Sequence, residues 1–76
     1  MNVIIIEDEK LAAQNLEQLL LDIDKSICIQ AKIGTVREAV VWLMQNKTDL
    51  IFLDIQLSDG ISFKIFEKIE VKTPII

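Results

Sequence analysis

Two groups of acids stand where chemistry is possible. Glu7, Asp8 and Glu9 follow the aliphatic run Val3–Ile6, and Asp54 follows a second such run, Leu50–Leu53. Carboxylates brought together repel one another, and some then keep their protons to higher pH. A divalent cation removes that penalty. Hard oxygen ligands in small number suit Mg2+, which keeps several waters and accepts a phosphate oxygen. A carboxylate beside such an ion can attack phosphorus and form an aspartyl-phosphate. This chemistry requires a fold that carries Glu7, Asp8 and Asp54 to one place.

The elements between them supply such a fold. Val3-Ile4-Ile5-Ile6 and Leu50-Ile51-Phe52-Leu53 are apolar at every position, which predicts strands covered on both faces of a parallel sheet. Ile27, Ile29, Ala31 and Ile33 alternate with Cys28, Gln30 and Lys32, as expected of an edge strand. Cys28 is expected to be a small buried residue. Ala12, Leu16, Leu19, Leu20 and Ile23 recur at helical spacing, with Asp8 as a candidate cap and Glu9 suited to the positive helix end. Thr35-Val36-Arg37-Glu38 has the capping-box pattern, and Val36, Ala39, Val40 and Leu43 continue as a helical stripe, with Trp42 as a packing residue beside it. Ser58-Asp59-Gly60 signals a loop, with Asp59 read as a turn residue. Ile61, Ile65, Phe66 and Ile69 predict a third helix. Thr73-Pro74-Ile75-Ile76 reads as the opening of a fourth strand, with Pro74 at its tolerated first position.

The order β-α-β-α-β-α-β predicts an α/β fold with right-handed crossovers. Placing the two wholly apolar strands centrally and the alternating one at an edge gives the order 2-1-3-4. A switch point then lies between strands one and three, just where Glu7, Asp8 and Asp54 emerge. Open α/β sheets bind ligands beyond the carboxyl ends of their strands at such points.

Composition narrows the partners. The chain has 76 residues, enough for one small domain, and a net charge of -4. That acidity argues against direct nucleic-acid contact by this segment. One cysteine and no histidine exclude an internal disulfide, a His-based metal site and phosphohistidine chemistry within the chain. No apolar run reaches the roughly 18–20 residues that span a bilayer. The start lacks the basic residues of a signal peptide, so a cytoplasmic location is expected.

Ile4-Ile5-Ile6-Glu7-Asp8-Glu9, followed after a helix and a strand by Leu53-Asp54-Ile55-Gln56-Leu57-Ser58-Asp59-Gly60, resembles the receiver domain of two-component response regulators. The stretch from Asp54 to Phe63 is similar to regulators that carry a LytTR-type DNA-binding domain. The resemblance covers residues 1–76 and implies a flavodoxin-like (CheY-like) doubly wound parallel sheet, incomplete after the start of strand four. It implies that Asp54 is the phosphoacceptor and that Asp8 is a direct Mg2+ ligand. Glu7, in place of the commoner Asp, would reach the metal mainly through water, and Gln56 would offer its backbone carbonyl. It further implies a sensor histidine kinase as phosphodonor and an output domain, a DNA-binding transcription regulator, outside this chain.

The family's Ser/Thr at the end of strand four, its Lys at the end of strand five and its aromatic switch residue have no counterparts here. Phosphorylation of this segment alone is therefore expected to be slow, and the edge of strand four is expected to invite pairing with another chain. Two other readings compete. One is a receiver-like interaction module that takes no phosphate. The other is an aspartyl-phosphate hydrolase, disfavoured because those enzymes resemble an Asp-x-Asp motif after the first strand, whereas Asp54 follows strand three and Gln56 takes the second acid's place.

Overall fold

A computed structural model describes the chain except for Ile55, Ser58, Ser62, Phe63 and Glu70 and the side chain of Gln56. Its elements are β1 (Asn2–Ile6), α1 (Lys10–Ile23), β2 (Cys28–Ile33), α2 (Val36–Gln45), β3 (Leu50–Leu53), β4 (Gln56–Leu57), β5 (Gly60–Ile61) and α3 (Ile65–Lys68). The main sheet is parallel, in the order β2-β1-β3. Ile75 bridges Ile51 on the far side of β3. The Ile51 N–H donates to the Pro74 carbonyl at 3.0 Å, and the Leu53 N–H to the Ile76 carbonyl at 3.0 Å. The C-terminal residues thus take the fourth place in the order expected from the hydrophobic pattern.

Alternation along β1 explains why helices cover both faces. Ile4 and Ile6 join Ile33, Val36, Ala39, Ile51, Leu57 and Ile65 in the core beneath α2 and α3. Val3 and Ile5 join Ala13 and Leu20 in a second core beneath α1. Val3 to Ile6, the four apolar residues of β1, are essentially inaccessible, as a run apolar at every position requires. The expected stripe on α2 is the observed one, with Val36 and Ala39 buried, and Val40, Leu43 and Trp42 packed against the same core.

On α1 the stripe that meets the core is Ala13, Leu16 and Leu20, of which Leu16 is half-buried. Ala12, Leu19 and Ile23, expected on that stripe, are exposed. This helix carries apolar residues around more of its circumference than one sheet face can cover.

The edge strand holds a departure from simple alternation. Val3 pairs with Ile29 and Ile4 with Ala31, so Gln30 is an extra residue, a bulge. Ile27 and Ile29 therefore pack with the α1 core, while Ala31 and Ile33 pack with the α2 core. Cys28 is exposed, not buried as expected, because it lies on the outward side of this edge strand.

The third helix is shorter than its apolar spacing predicts. Ile61 does not open it. Ile61 pairs with Gln56, and Leu57 with Gly60, in an antiparallel hairpin. Gly60 has φ +148°, a conformation that side chains disfavour and glycine accepts. That turn, rather than the spacing of the isoleucines, decides the local structure. The Ser58 part of the turn signal lies outside the described residues.

Candidate metal centre

The sheet itself delivers the acids. Beyond Ile6 the Glu7 N–H donates to the Ile33 carbonyl of β2 at 2.8 Å, while the Asp54 N–H donates to the Ile6 carbonyl at 2.9 Å. The backbone after β1 is thus tied to both neighbouring strands. Glu7 and Asp54 are half-buried and Asp8 is exposed. Each of the three offers a carboxylate oxygen, and these oxygens lie within 4.8 Å of one another.

Asp8 was a candidate helix cap and is not one. Helix α1 starts at Lys10, with Glu9 in the cap position and no side-chain cap there. The Glu9 carbonyl accepts the Ala13 N–H at 3.0 Å. Asp8 lies one residue outside that turn, and its carboxylate joins Glu7 and Asp54 instead. Lys10 is exposed and lines a cleft with Glu7, Asp8, Gln14, Lys32 and Gly34. Lys32 is paired with Glu17 at 2.8 Å.

The electrostatics have the sign that a cation would relieve. Burial pushes the Glu7 carboxyl above its ordinary range. The Glu9 N–H, which approaches Glu7 Oε1 at 3.3 Å, offsets part of this, and the charges of Asp54 and Asp8 and the contact with Asp54 add to it. Donors around one Mg2+, at about 2.1 Å each, stand at most about 4.2 Å apart. A 4.8 Å span fits such an ion after a small adjustment, or with one donor acting through water. The donor set, three hard oxygens and no nitrogen or sulfur, also fits. The backbone of Gln56 stands in β4, just beyond Asp54.

One functional-looking residue does more than its turn position indicates. Asp59 accepts the N–H groups of Val36, at 2.7 Å, and Arg37, at 3.1 Å, across 23 and 22 positions of sequence. Only its place before Gly60 was legible beforehand. Chiefly the Val36 N–H, with that of Arg37, holds the Asp59 carboxyl below the ordinary carboxylate range. A folded-state value below the unfolded one stabilises fully above the unfolded value, about 4, and is lost as pH falls through the folded value. The urea midpoint of the protein should therefore fall on acidification below about pH 4, and Asp59→Asn should flatten that fall. Identical acid slopes for the two proteins would remove Asp59 from the account.

Residues 3–76 match the response regulator receiver domain. Over 65 residues the chain is 42% identical to the sensory transduction protein LytT of Bacillus anthracis, covering 86% of this chain and 26% of that protein. The chain thus spans about a quarter of the length of this curated relative. The solution structure of the receiver domain of the response regulator PhyR from Erythrobacter litoralis is similar at a TM-score of 0.81 and 33% identity, over 99% of this chain and 59% of that one. The anti-anti-sigma factor PhyR from Bartonella quintana is similar at a TM-score of 0.78 and 35% identity, over 99% of this chain and 31% of that one. No helix among the described residues is long and apolar enough to cross a membrane. The sheet order, the acids at its switch point and these likenesses agree: the chain belongs to the response regulator receiver domain family.

Proposed function

We propose that this chain is a phosphoacceptor module that takes a phosphoryl group on Asp54 from a sensor histidine kinase. The convergence of Glu7, Asp8 and Asp54 at the switch point supports this reading most directly. An Asp54 carboxylate oxygen forms the new bond to phosphorus as the phosphorus–nitrogen bond of the donor breaks, and the imidazole nitrogen keeps the electron pair. Bound Mg2+ would offset charge on the transferring group. Asp8 would hold the ion directly, Glu7 through water and Gln56 through its backbone carbonyl. The module is not an enzyme in the usual sense, since the donor is another protein. It acts in the cytoplasm and controls an output domain, a transcription regulator by the resemblance of residues 54–63 to LytTR-type regulators, in keeping with the likeness to a sensory transduction protein.

One structural relative is named an anti-anti-sigma factor rather than a DNA-binding regulator, which favours a second reading, output through protein contact. Incubation of the full-length protein with acetyl phosphate and Mg2+ tests the phosphoacceptor reading. Intact mass should show one added phosphoryl group, labile in alkali and hydroxylamine, and Asp54→Asn should show none. An unmodified protein would leave contact without phosphate as the mode of action.

A further inference from the structure

The acids of the site stand on two loops, and one short segment touches both. Gly34, between β2 and α2, packs on the first loop: a methyl group placed on it would stand 3.5 Å from Asp8 Cα and 3.8 Å from the Glu7 carbonyl oxygen. Two residues on, the N–H groups of Val36 and Arg37 reach the second loop through Asp59.

The first turn of a helix leaves its N–H groups without partners inside the helix. In α2 the Thr35 hydroxyl accepts the Glu38 N–H at 3.0 Å, and the Thr35 carbonyl accepts the Ala39 N–H at 3.1 Å. The two donors left over are those of Val36 and Arg37, and the two oxygens of Asp59 take one each. Bonds of this kind to an ionised carboxylate are about twice as strong as neutral ones. Asp54, Leu57 and Asp59 are each consequently held. The Asp54 N–H is fixed to Ile6, Asp59 is fixed to α2, and Leu57 between them is buried in the core with Val36 and Ala39.

We infer that Asp59 is a positioning residue for the cation site, clamping β4 and β5 to the first turn of α2 and so fixing Asp54 and Leu57 relative to the Glu7–Asp8 loop. The inference rests on the reading of Asp54 and Gln56 as groups that face the cation. In it, the 34–37 segment acts as a strut between the two acidic loops, and a shift of α2 is felt at both.

Titration with Mg2+ alone, followed by calorimetry, tests it. Asp59→Ala should weaken Mg2+ binding about tenfold, the scale of groups that orient metal ligands. Asp59→Asn keeps one oxygen acceptor and should recover part of the loss. Without cation, Asp59→Ala should also speed amide exchange at Leu57 and Gly60 while leaving the β1 amides unchanged. Arg37→Pro removes one donor from the other side of the contact, in the first turn where no hydrogen bond within the helix is lost, and should act in the same direction. It decides the matter if Asp59→Ala does not fold. A folded variant that binds Mg2+ as tightly as the parent overturns the inference. If the parent itself shows no Mg2+ binding that Asp54→Asn removes, the cation reading fails instead, and the exchange rates alone then uphold or overturn the clamp.

Discussion

Magnesium should raise the thermal midpoint of this protein by about 10–20 °C, and Asp54→Asn should abolish the rise. A ligand that binds only the folded state, at a hundred times its dissociation constant, adds about 2.7 kcal/mol. A domain of this size gains roughly 4–8 °C per kcal/mol. The carboxylates of Glu7, Asp8 and Asp54 meet only in the folded chain, because 45 or more residues separate Asp54 from the other two. Without cation the order of stability reverses. Asp54→Asn removes one of three mutually repelling charges and leaves an amide that can hydrogen bond Glu7, so it should melt above the parent. Melts with and without Mg2+ read both signs. A midpoint raised equally in both proteins would sink the three-carboxylate site.

Ile4→Ala should cost about 2–5 kcal/mol, the range for truncating a buried isoleucine. Ile4 is 0% exposed and sits where β1 meets both flanking strands and the α2 core. Domains hold roughly 5–15 kcal/mol in total, and small ones lie low in that range. The substitution therefore removes a large fraction of the stability, and much of the protein should be unfolded in mild urea. Ile23→Ala changes the same side chain in the same way at a site 78% exposed, and should stay within about 0.5 kcal/mol. Urea midpoints for the two variants separate burial from residue type. Equal shifts would contradict the core described above.

The sequence revealed what rests on local pattern. Val3–Ile6 and Leu50–Leu53, apolar at every position, gave the central strands and the strand order, and hence the meeting of Glu7 with Asp54. Other features depend on partners far along the chain. Nothing near Asp59 announces that its carboxylate serves a helix that starts 23 residues earlier. The spacing from Ile61 to Ile69 suits a helix, but pairing with Gln56 claims Ile61 first. Asp8 has the chemistry of a cap, yet the turn after β1 puts Glu9 in that position. The Cys28 reading failed because an apolar neighbourhood in sequence does not say which side of an edge strand faces out.

The extra residue at Gln30 makes parity a property of β2. Residues before it and residues after it count from opposite origins, which is how Ile27 and Ile29 serve one core while Ala31 and Ile33 serve the other. Deleting Gln30 would make Ile29 and Ala31 direct neighbours, which alternate to opposite faces unaided, so the two cores would keep their residues and the strand would lose its bulge. The same offset spoils the strand as a template. A second copy laid along this edge would match its hydrogen-bonding groups on one side of Gln30 only, so the outer margin of the sheet is protected by a counting mismatch as well as by the charge of Lys32.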